Sequence, residues 1–267
     1  MTARRVAIRH LLIDMDGVLF RGATALPGAT EFLPWLTRRG IGFMLLTNNS
    51  TLTPVDNARR LQAMRISVDA ANILTSSVAT AKYLREQGAV GQKAIVIGEA
   101  GLVGPLQECG MLLTDDYLEA QWVVIGLDRG VTYAKLRAAC LAIEHGARFV
   151  AANADSSLPV EEGLIPGAGA LQAVVTATTG RIPTVIGKPE PRMLETAMRQ
   201  LGASPDTTAI LGDRLDTDIA SAHRAGLPSI LVLTGVSTRS DAEHGDIRPD
   251  RVVDDLPSLM SSEPLTA

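Results

Sequence analysis

The segment Ile13-Asp14-Met15-Asp16-Gly17-Val18-Leu19 decides how the rest of the chain is interpreted. The apolar run from His10 predicts a buried strand whose carboxyl end carries two carboxylates separated by one residue. In extended backbone, residues two apart point the same way, roughly 6.6 Å apart along the chain. Asp14 and Asp16 are therefore predicted to face one substrate. For this segment alone a solvated turn is the alternative, because Asp and Gly are ordinary turn residues.

Short apolar runs alternate with longer amphipathic segments along the chain. This pattern predicts an α/β fold in which a parallel sheet is flanked by helices. Several runs end in Gly, Asp, Thr or Asn, at the edge where open α/β sheets bind ligands. The predicted strands are residues 10–14, 42–47, 94–98, 122–126, 148–152, 184–186, 209–212 and 229–233.

Three further motifs follow predicted strands. The first, Leu45-Leu46-Thr47-Asn48-Asn49-Ser50, offers a hydroxyl and backbone N–H groups that can hold phosphoryl oxygens, although a helix cap is the alternative. The second, Gly187-Lys188-Pro189, offers a cation, which in isolation is typical of a solvated surface charge. The third spans residues 211–218 and carries Asp213 and Asp218, whose oxygens suit a hard divalent cation.

The ordered set of four motifs resembles the haloacid dehalogenase superfamily, which has a Rossmann-like catalytic core. The resemblance implies that Asp14 is a nucleophile that forms an aspartyl-phosphate. It implies that Asp16 protonates the leaving oxygen and then activates water. Haloalkanoate dehalogenases of the superfamily normally lack a second Asp at the Asp16 position, because halide leaves without a proton. Asp16 therefore favours phosphoryl transfer over dehalogenation.

The same resemblance implies a magnesium ion and a phosphate-binding set. The implied Mg²⁺ ligands are Asp14, Asp16 through its backbone carbonyl, Asp213 and, in a supporting position, Asp218. The residues implied to hold the phosphoryl group are Thr47, Asn48, Asn49 and Lys188, of which Thr47 and Lys188 also count as catalytic. Metal, lysine and nucleophile are needed together, because uncatalysed phosphate-monoester hydrolysis is extremely slow.

The spacing of the motifs predicts an inserted domain. Only 33 positions separate Asp14 from Thr47, whereas 141 separate Thr47 from Lys188. By resemblance, an insert in this interval is a type-II (C2) α/β cap, and the chain resembles the NagD-like, 4-nitrophenylphosphatase-type branch, subfamily IIA. We predict a core of residues 1–76 and 182–267 and a cap of residues 77–181 that closes over the phosphate. Relatives often pair through their caps, which favours a homodimer.

The charge and hydropathy of the chain limit the classes of partner that it is expected to bind. The formal net charge is −4 and there is no long Lys/Arg run, which disfavours nucleic-acid binding. Without a run of roughly 20 apolar residues to cross a bilayer, we expect no membrane partner and a cytoplasmic location. A small phosphorylated metabolite is the expected substrate. A phosphotransferase or mutase remains open, as does a non-catalytic phosphate-binding module, although such a module would be expected to lose Asp14, Asp16 or Lys188.

Overall fold

The computed structural model describes residues 7–160 and 162–262. Strands and helices alternate along these residues, as the sequence pattern predicts. The strands are β1 (His10–Asp14), β2 (Phe20–Arg21), β3 (Thr24–Ala25), β4 (Gly42–Thr47), β5 (Ile73–Thr75), β6 (Lys93–Ile97), β7 (Leu112–Leu113), β8 (Trp122–Ile125), β9 (Arg148–Ala151), β10 (Ser157–Val160), β11 (Gly163–Pro166), β12 (Thr184–Val185), β13 (Thr208–Gly212), β14 (Ser229–Val232) and β15 (Arg251–Val253).

Helices connect most of the strands. The α-helices are α1 (Ala29–Arg38), α2 (Pro54–Ala63), α3 (Ser76–Glu86), α4 (Ala100–Glu108), α5 (Tyr133–Glu144), α6 (Ala168–Thr179), α7 (Arg192–Leu201), α8 (Ala220–Ala225), α9 (Arg239–His244) and α10 (Leu256–Ser261). Short 3₁₀ turns occupy Ala70–Asn72 and Pro205–Thr207, and a π-helical turn, Leu215–Ile219, leads into α8.

The described residues form two compact units. Among the described residues, the first unit holds residues 7–47, Pro54–Leu74 and residues 188–262. The second unit holds Thr75–Gly187 and the short segment Asn48–Thr53. The division into a catalytic core and a cap at residues 77–181 stays a prediction about domains.

The first unit is built on a six-stranded sheet with the order β15-β14-β13-β1-β4-β5. Strand β1 lies between β13 and β4 and runs parallel to both. On one face Leu11 and Ile13 of β1 join a buried apolar cluster, as the two-residue period of a strand requires. Helix α1 covers this cluster with Phe32, Leu33 and Leu36, which recur at helical spacing.

The second unit has its own sheet, with the strand order β12-β9-β8-β6-β7. The pairs β6–β8 and β8–β9 are parallel. The side chains of Ile95, Val123 and Ile125 pack in a buried cluster with apolar residues of α5. Strands β10 and β11 form a separate antiparallel hairpin.

The α/β fold class is confirmed, with parallel strand pairs in both large sheets. Strands β1 and β4 have the bounds that were predicted for them. The short strands β5, β7 and β15 were not predicted, nor were the two hairpins β2–β3 and β10–β11. Among the described residues, we find no helix with the length and apolar character required to traverse a bilayer.

Candidate active site

Three neighbouring strands of the first unit, β13, β1 and β4, bring the predicted site residues Asp213, Asp14 and Thr47 to one edge of the sheet. In the parallel register Ile13 of β1 lies beside Leu211 of β13, and Asp14 lies beside Leu46 of β4. Asp14 therefore ends β1 one register position before Thr47, the last residue of β4. Asp213 directly follows β13 at the same edge. The carboxyl ends of parallel strands are where α/β proteins bind ligands.

Lys188 joins two of the carboxylates. Its side chain is 3% exposed, and its Nζ donates hydrogen bonds to Asp14 Oδ1 and, at 2.6 Å, to Asp218 Oδ1. Asp14 and Asp218 are also buried. Asp218 Oδ2 accepts the backbone N–H groups of Asp213 at 3.2 Å and Arg214 at 3.1 Å. One carboxylate thus links the lysine to the loop that carries Asp213.

Asp213 is held by close backbone contacts. Its Oδ2 accepts the Val236 N–H at 2.8 Å, and its side chain lies against Gly17 and Gly235. A Cβ at Gly17 would lie 2.4 Å from Asp213 Oδ2, and φ of Gly17 is +84°. That conformation favours glycine, and the short approach excludes a side chain. The glycine after Asp16 therefore lets the β1 turn pack directly against Asp213.

These carboxylates form a donor set that suits a divalent cation. Asp14, Asp213 and Asp218 each offer one ligand oxygen, and the three oxygens lie within 4.8 Å of one another. All three residues are buried. If ionised, they bring three negative charges against the single positive charge of Lys188. Hard cations such as Mg²⁺ prefer oxygen ligands, and a buried excess of negative charge favours binding one.

Burial and charge shift the protonation of this cluster. Burial raises the pKa of Asp14 well above its ordinary value; Lys188 acts in the opposite direction, while Asp218 and Asp213 raise the pKa further. Burial, followed by the charge of Asp218, raises the pKa of Asp213 to about 7. Burial alone would lower the pKa of Lys188, but Asp14 and Asp218 outweigh it and raise that pKa. Lys188 is therefore a permanent cation at neutral pH.

Asp16 lies outside the buried cluster, and its residue surface is exposed. Neighbouring groups still remove enough water from its carboxyl to raise its pKa, whereas the positive charges of Arg60 and Arg21 lower it. A raised pKa favours the protonated carboxyl that a general acid requires. The next residue, Gly17, donates its N–H to the Phe20 carbonyl at 2.8 Å, so a tight turn follows Asp16.

The predicted phosphate-binding residues fall in two places. Thr47 is half-buried at the end of β4, in the first unit. Asn48 and Asn49 belong to the second unit. There the Asn48 Nδ2 donates to Asp155 Oδ1 at 3.1 Å. The side-chain oxygen of Asn49 accepts both the N–H and the hydroxyl of Thr51, each at 2.8 Å, and so stabilises a turn. The first unit thus assembles Asp14, Lys188, Asp213 and Asp218, with Asp16 and Thr47 at the same edge.

Comparisons with known proteins identify the family. A family model described as haloacid dehalogenase-like hydrolase matches residues 11–112, and one described as HAD-hydrolase-like matches residues 185–259. The acid sugar phosphatase of Staphylococcus aureus (strain USA300) is 40% identical over 245 residues, which cover 92% of this chain and 94% of that protein. The chain belongs to the haloacid dehalogenase-like hydrolases.

Solved structures define the branch of the haloacid dehalogenase-like family. The 4-nitrophenylphosphatase of Thermotoga maritima is 33% identical with a TM-score of 0.91, and the match covers 96% of this chain and 97% of that one. NagD from E. coli K-12 is 36% identical with a TM-score of 0.88, and the match covers 94% and 97% of the two chains. The protein is thus a haloacid dehalogenase-type phosphatase of the NagD-like subfamily IIA.

Sequence reasoning missed one part of this phosphatase site, the loop after β14. Besides the Val236 N–H on Asp213 Oδ2, the loop supplies the Ser237 N–H to the Asp213 carbonyl at 3.0 Å. The Thr234 hydroxyl donates to the Gly17 carbonyl at 2.7 Å. The sequence feature that could have predicted this loop is Leu233-Thr234-Gly235. It shows that the predicted strand 229–233, like the other strands at the site, is followed by small residues at the ligand-binding edge.

Proposed function

We propose that this haloacid dehalogenase-type phosphatase is a Mg²⁺-dependent phosphomonoesterase that hydrolyses small phosphorylated metabolites through an aspartyl-phosphate on Asp14. The observation that carries the proposal is the buried Asp14 carboxylate, bonded to Lys188 and close to Asp213 and Asp218. A buried carboxylate held by a cation, at the edge of the sheet where ligands bind, is suited to nucleophilic attack.

In the first step an Asp14 carboxylate oxygen attacks the phosphorus, and the bond from phosphorus to the ester oxygen breaks. Asp16 gives its proton to that leaving oxygen, so that an alcohol departs. In the second step the Asp16 carboxylate takes a proton from water, whose oxygen attacks the phosphorus and releases Asp14. The raised pKa of Asp16 supports a proton on its carboxyl before the first step.

Charge stabilisation is assigned to the residues around Asp14. The Lys188 ammonium neutralises negative charge beside the nucleophile, and its two carboxylate partners fix its position. The Thr47 hydroxyl and the amides of Asn48 and Asn49 are proposed to hold phosphoryl oxygens. Magnesium would be held by Asp14, Asp213 and the Asp16 carbonyl, with Asp218 in support, and would neutralise charge on the phosphoryl group when bound.

The substrate class is proposed from relatives. The S. aureus relative is named an acid sugar phosphatase, and the T. maritima structure is a 4-nitrophenylphosphatase. Both names describe the hydrolysis of small phosphomonoesters. We therefore assign sugar phosphates and similarly small esters to this phosphatase as its substrate class.

The test is phosphate release from a panel of sugar phosphates and from 4-nitrophenyl phosphate, with Mg²⁺ and then with excess chelator. We expect turnover of several small esters that stops with chelator and returns when Mg²⁺ is added back. Adding glycerol as an acceptor should yield inorganic phosphate and not glycerol phosphate. Full activity in chelator would refute the metal requirement, and glycerol phosphate as the main product would establish a phosphotransferase.

A further inference from the structure

The hairpin β2–β3 lies directly after the Asp16 turn and is tied to it by backbone hydrogen bonds. The Phe20 carbonyl accepts the Gly17 N–H at 2.8 Å, and the Met15 carbonyl accepts the Leu19 N–H at 2.9 Å. Asp16 also forms an isolated β-bridge with Phe20. The position of the hairpin therefore determines the position of Asp16.

Arg60 of α2 holds this hairpin from one side. Its guanidinium carbon lies 4.3 Å from the centre of the Phe20 ring, and its Nη2 donates to the Gly22 carbonyl at 2.8 Å. Phe20 is fully buried, while Arg60 is half-buried. A planar guanidinium can stack on a ring and donate at its edge at the same time, which a lysine cannot do as well.

Arg21 holds the hairpin from the other side. Its Nη2 donates to the Thr234 carbonyl at 2.6 Å, across 213 positions of sequence. Thr234 in turn donates its hydroxyl to the Gly17 carbonyl, and its neighbour Gly235 packs on Asp213. The Arg21 contact therefore ties the hairpin to the loop that also positions Asp213.

We propose that Arg60, together with Arg21, is a positioning residue that fixes the β2–β3 hairpin and thereby aims the Asp16 carboxyl at the leaving oxygen. The inference rests on the proposed acid role of Asp16. Misplacement of a catalytic group by about 1 Å can cost about a hundredfold in rate. A hairpin of only two-residue strands has little pairing of its own, so its side-chain anchors must supply the rigidity.

The test compares Arg60→Met with Arg59→Met, a matched change one residue earlier on α2. Arg59 is highly exposed and forms a surface ion pair with Asp56, on the same helix. The readout is kcat/KM on an alkyl sugar phosphate, whose leaving group needs a proton, and on 4-nitrophenyl phosphate, whose leaving group needs it less. Arg60→Met should lose about tenfold on the sugar phosphate and about twofold on the aryl ester, a part of the roughly 10²–10⁴-fold that general acid catalysis contributes. Arg59→Met should leave both values unchanged.

A double-mutant cycle with Asp16→Asn separates positioning from general destabilisation. If Arg60 acts through Asp16, Arg60→Met should slow the Asp16→Asn enzyme no further, and Arg60→Lys should recover part of the single-variant loss. Equal losses on both esters in Arg60→Met while Asp16→Asn still slows the sugar phosphate more than the aryl ester, or multiplicative losses in the cycle, would overturn the inference. Should Asp16→Asn itself slow both esters equally, the acid role fails, and the cycle alone then decides whether Arg60 acts through Asp16. Thermal unfolding of each variant confirms that folded enzyme is compared.

Discussion

At the scale of single residues, the site keeps charges where folding alone would disfavour them. Asp14, Lys188 and Asp218 are buried. Burial raises the pKa of Asp14, whereas it opposes the charged form of Lys188, whose pKa is raised only because Asp14 and Asp218 outweigh burial. Removing one partner of a buried ion pair commonly costs about 3–5 kcal/mol, because the other charge is left uncompensated. The three groups stabilise one another only as a set. Such a set is explained better by chemistry at the sheet edge than by stability.

Asp213 allows a prediction about pH. Its pKa near 7 means that the folded chain binds a proton there which an unfolded chain, with an Asp pKa of about 3.9, does not. The contribution of Asp213 to the free energy of unfolding therefore falls as pH rises from about 4 to about 7. A bound cation offsets this loss, because it stabilises the ionised carboxylate. Below about pH 7 protons compete with Mg²⁺ for the Asp213 carboxylate. The Mg²⁺ concentration for half-maximal activity should therefore rise about tenfold for each unit by which the pH is lowered.

The measurement is a Mg²⁺ titration of 4-nitrophenyl phosphate hydrolysis at several values between about pH 5.5 and about pH 8. Calorimetric Mg²⁺ titration without substrate provides a readout independent of turnover. Asp213→Asn should bind Mg²⁺ more weakly with a flatter pH dependence. A midpoint that does not move with pH would show that Asp213 does not bind the cation.

At the scale of elements, the turn after β1 depends on a glycine. Gly17 has a positive φ and touches Asp213, so it meets two constraints at once. Gly40, which follows α1, has a φ of +67°, but a Cβ there would meet none of the described atoms within 4 Å. The two glycines therefore share a positive φ, which would strain any other residue, and differ in how closely other atoms approach them.

Gly17→Ala and Gly40→Ala form a matched pair. Each should destabilise the fold by about 1–2 kcal/mol, since an L-residue is disfavoured at positive φ. Only Gly17→Ala should also weaken Mg²⁺ binding and lower kcat, because its methyl group must displace the Asp213 carboxylate. Denaturant unfolding and Mg²⁺-dependent kinetics measure the two effects. If both variants kept wild-type kinetics, the close packing of Gly17 on Asp213 would be irrelevant to the site.

The elements also show what sequence could predict. Strands β1 and β4 were predicted with their observed bounds because each is a continuous apolar run that ends abruptly in polar residues. Strand β5 has only three residues and the β2–β3 hairpin has two per strand, too few for a periodic pattern. Their position comes from contacts with distant residues, such as Arg60 on Gly22, which no local pattern reveals.

At the scale of the whole molecule, the first unit holds the buried cluster by itself. Asp14 and Lys188 are 174 positions apart, yet they meet within the first unit. Motif order in the sequence predicted that these residues belong together. Spacing could not predict that Asp218 would bond Lys188 and the backbone of Asp213, because those contacts depend on the π-helical turn that follows β13.

The two-unit organisation predicts the outcome of removing most of the second unit. Replacing residues 77–181 by a short flexible linker should leave Mg²⁺ binding within about threefold of wild type, since the ligand carboxylates lie in the first unit. The preference among sugar phosphates should change, because the insert is proposed to select the substrate. Calorimetric Mg²⁺ titration and a substrate panel test this. Loss of Mg²⁺ binding in a folded variant would contradict the division.

The proposed mechanism requires that Asp14 carries the phosphoryl group during turnover, and that group can be trapped. Asp16→Asn should slow breakdown of the intermediate, so acid quenching during turnover of 4-nitrophenyl phosphate, followed by peptide mass spectrometry, should find one phosphoryl group on Asp14. The Asp14→Asn enzyme should show none and release no phosphate while remaining folded. A single turnover that releases nitrophenol and phosphate together, with unmodified Asp14 at every quench time, would contradict covalent catalysis and indicate direct attack by water.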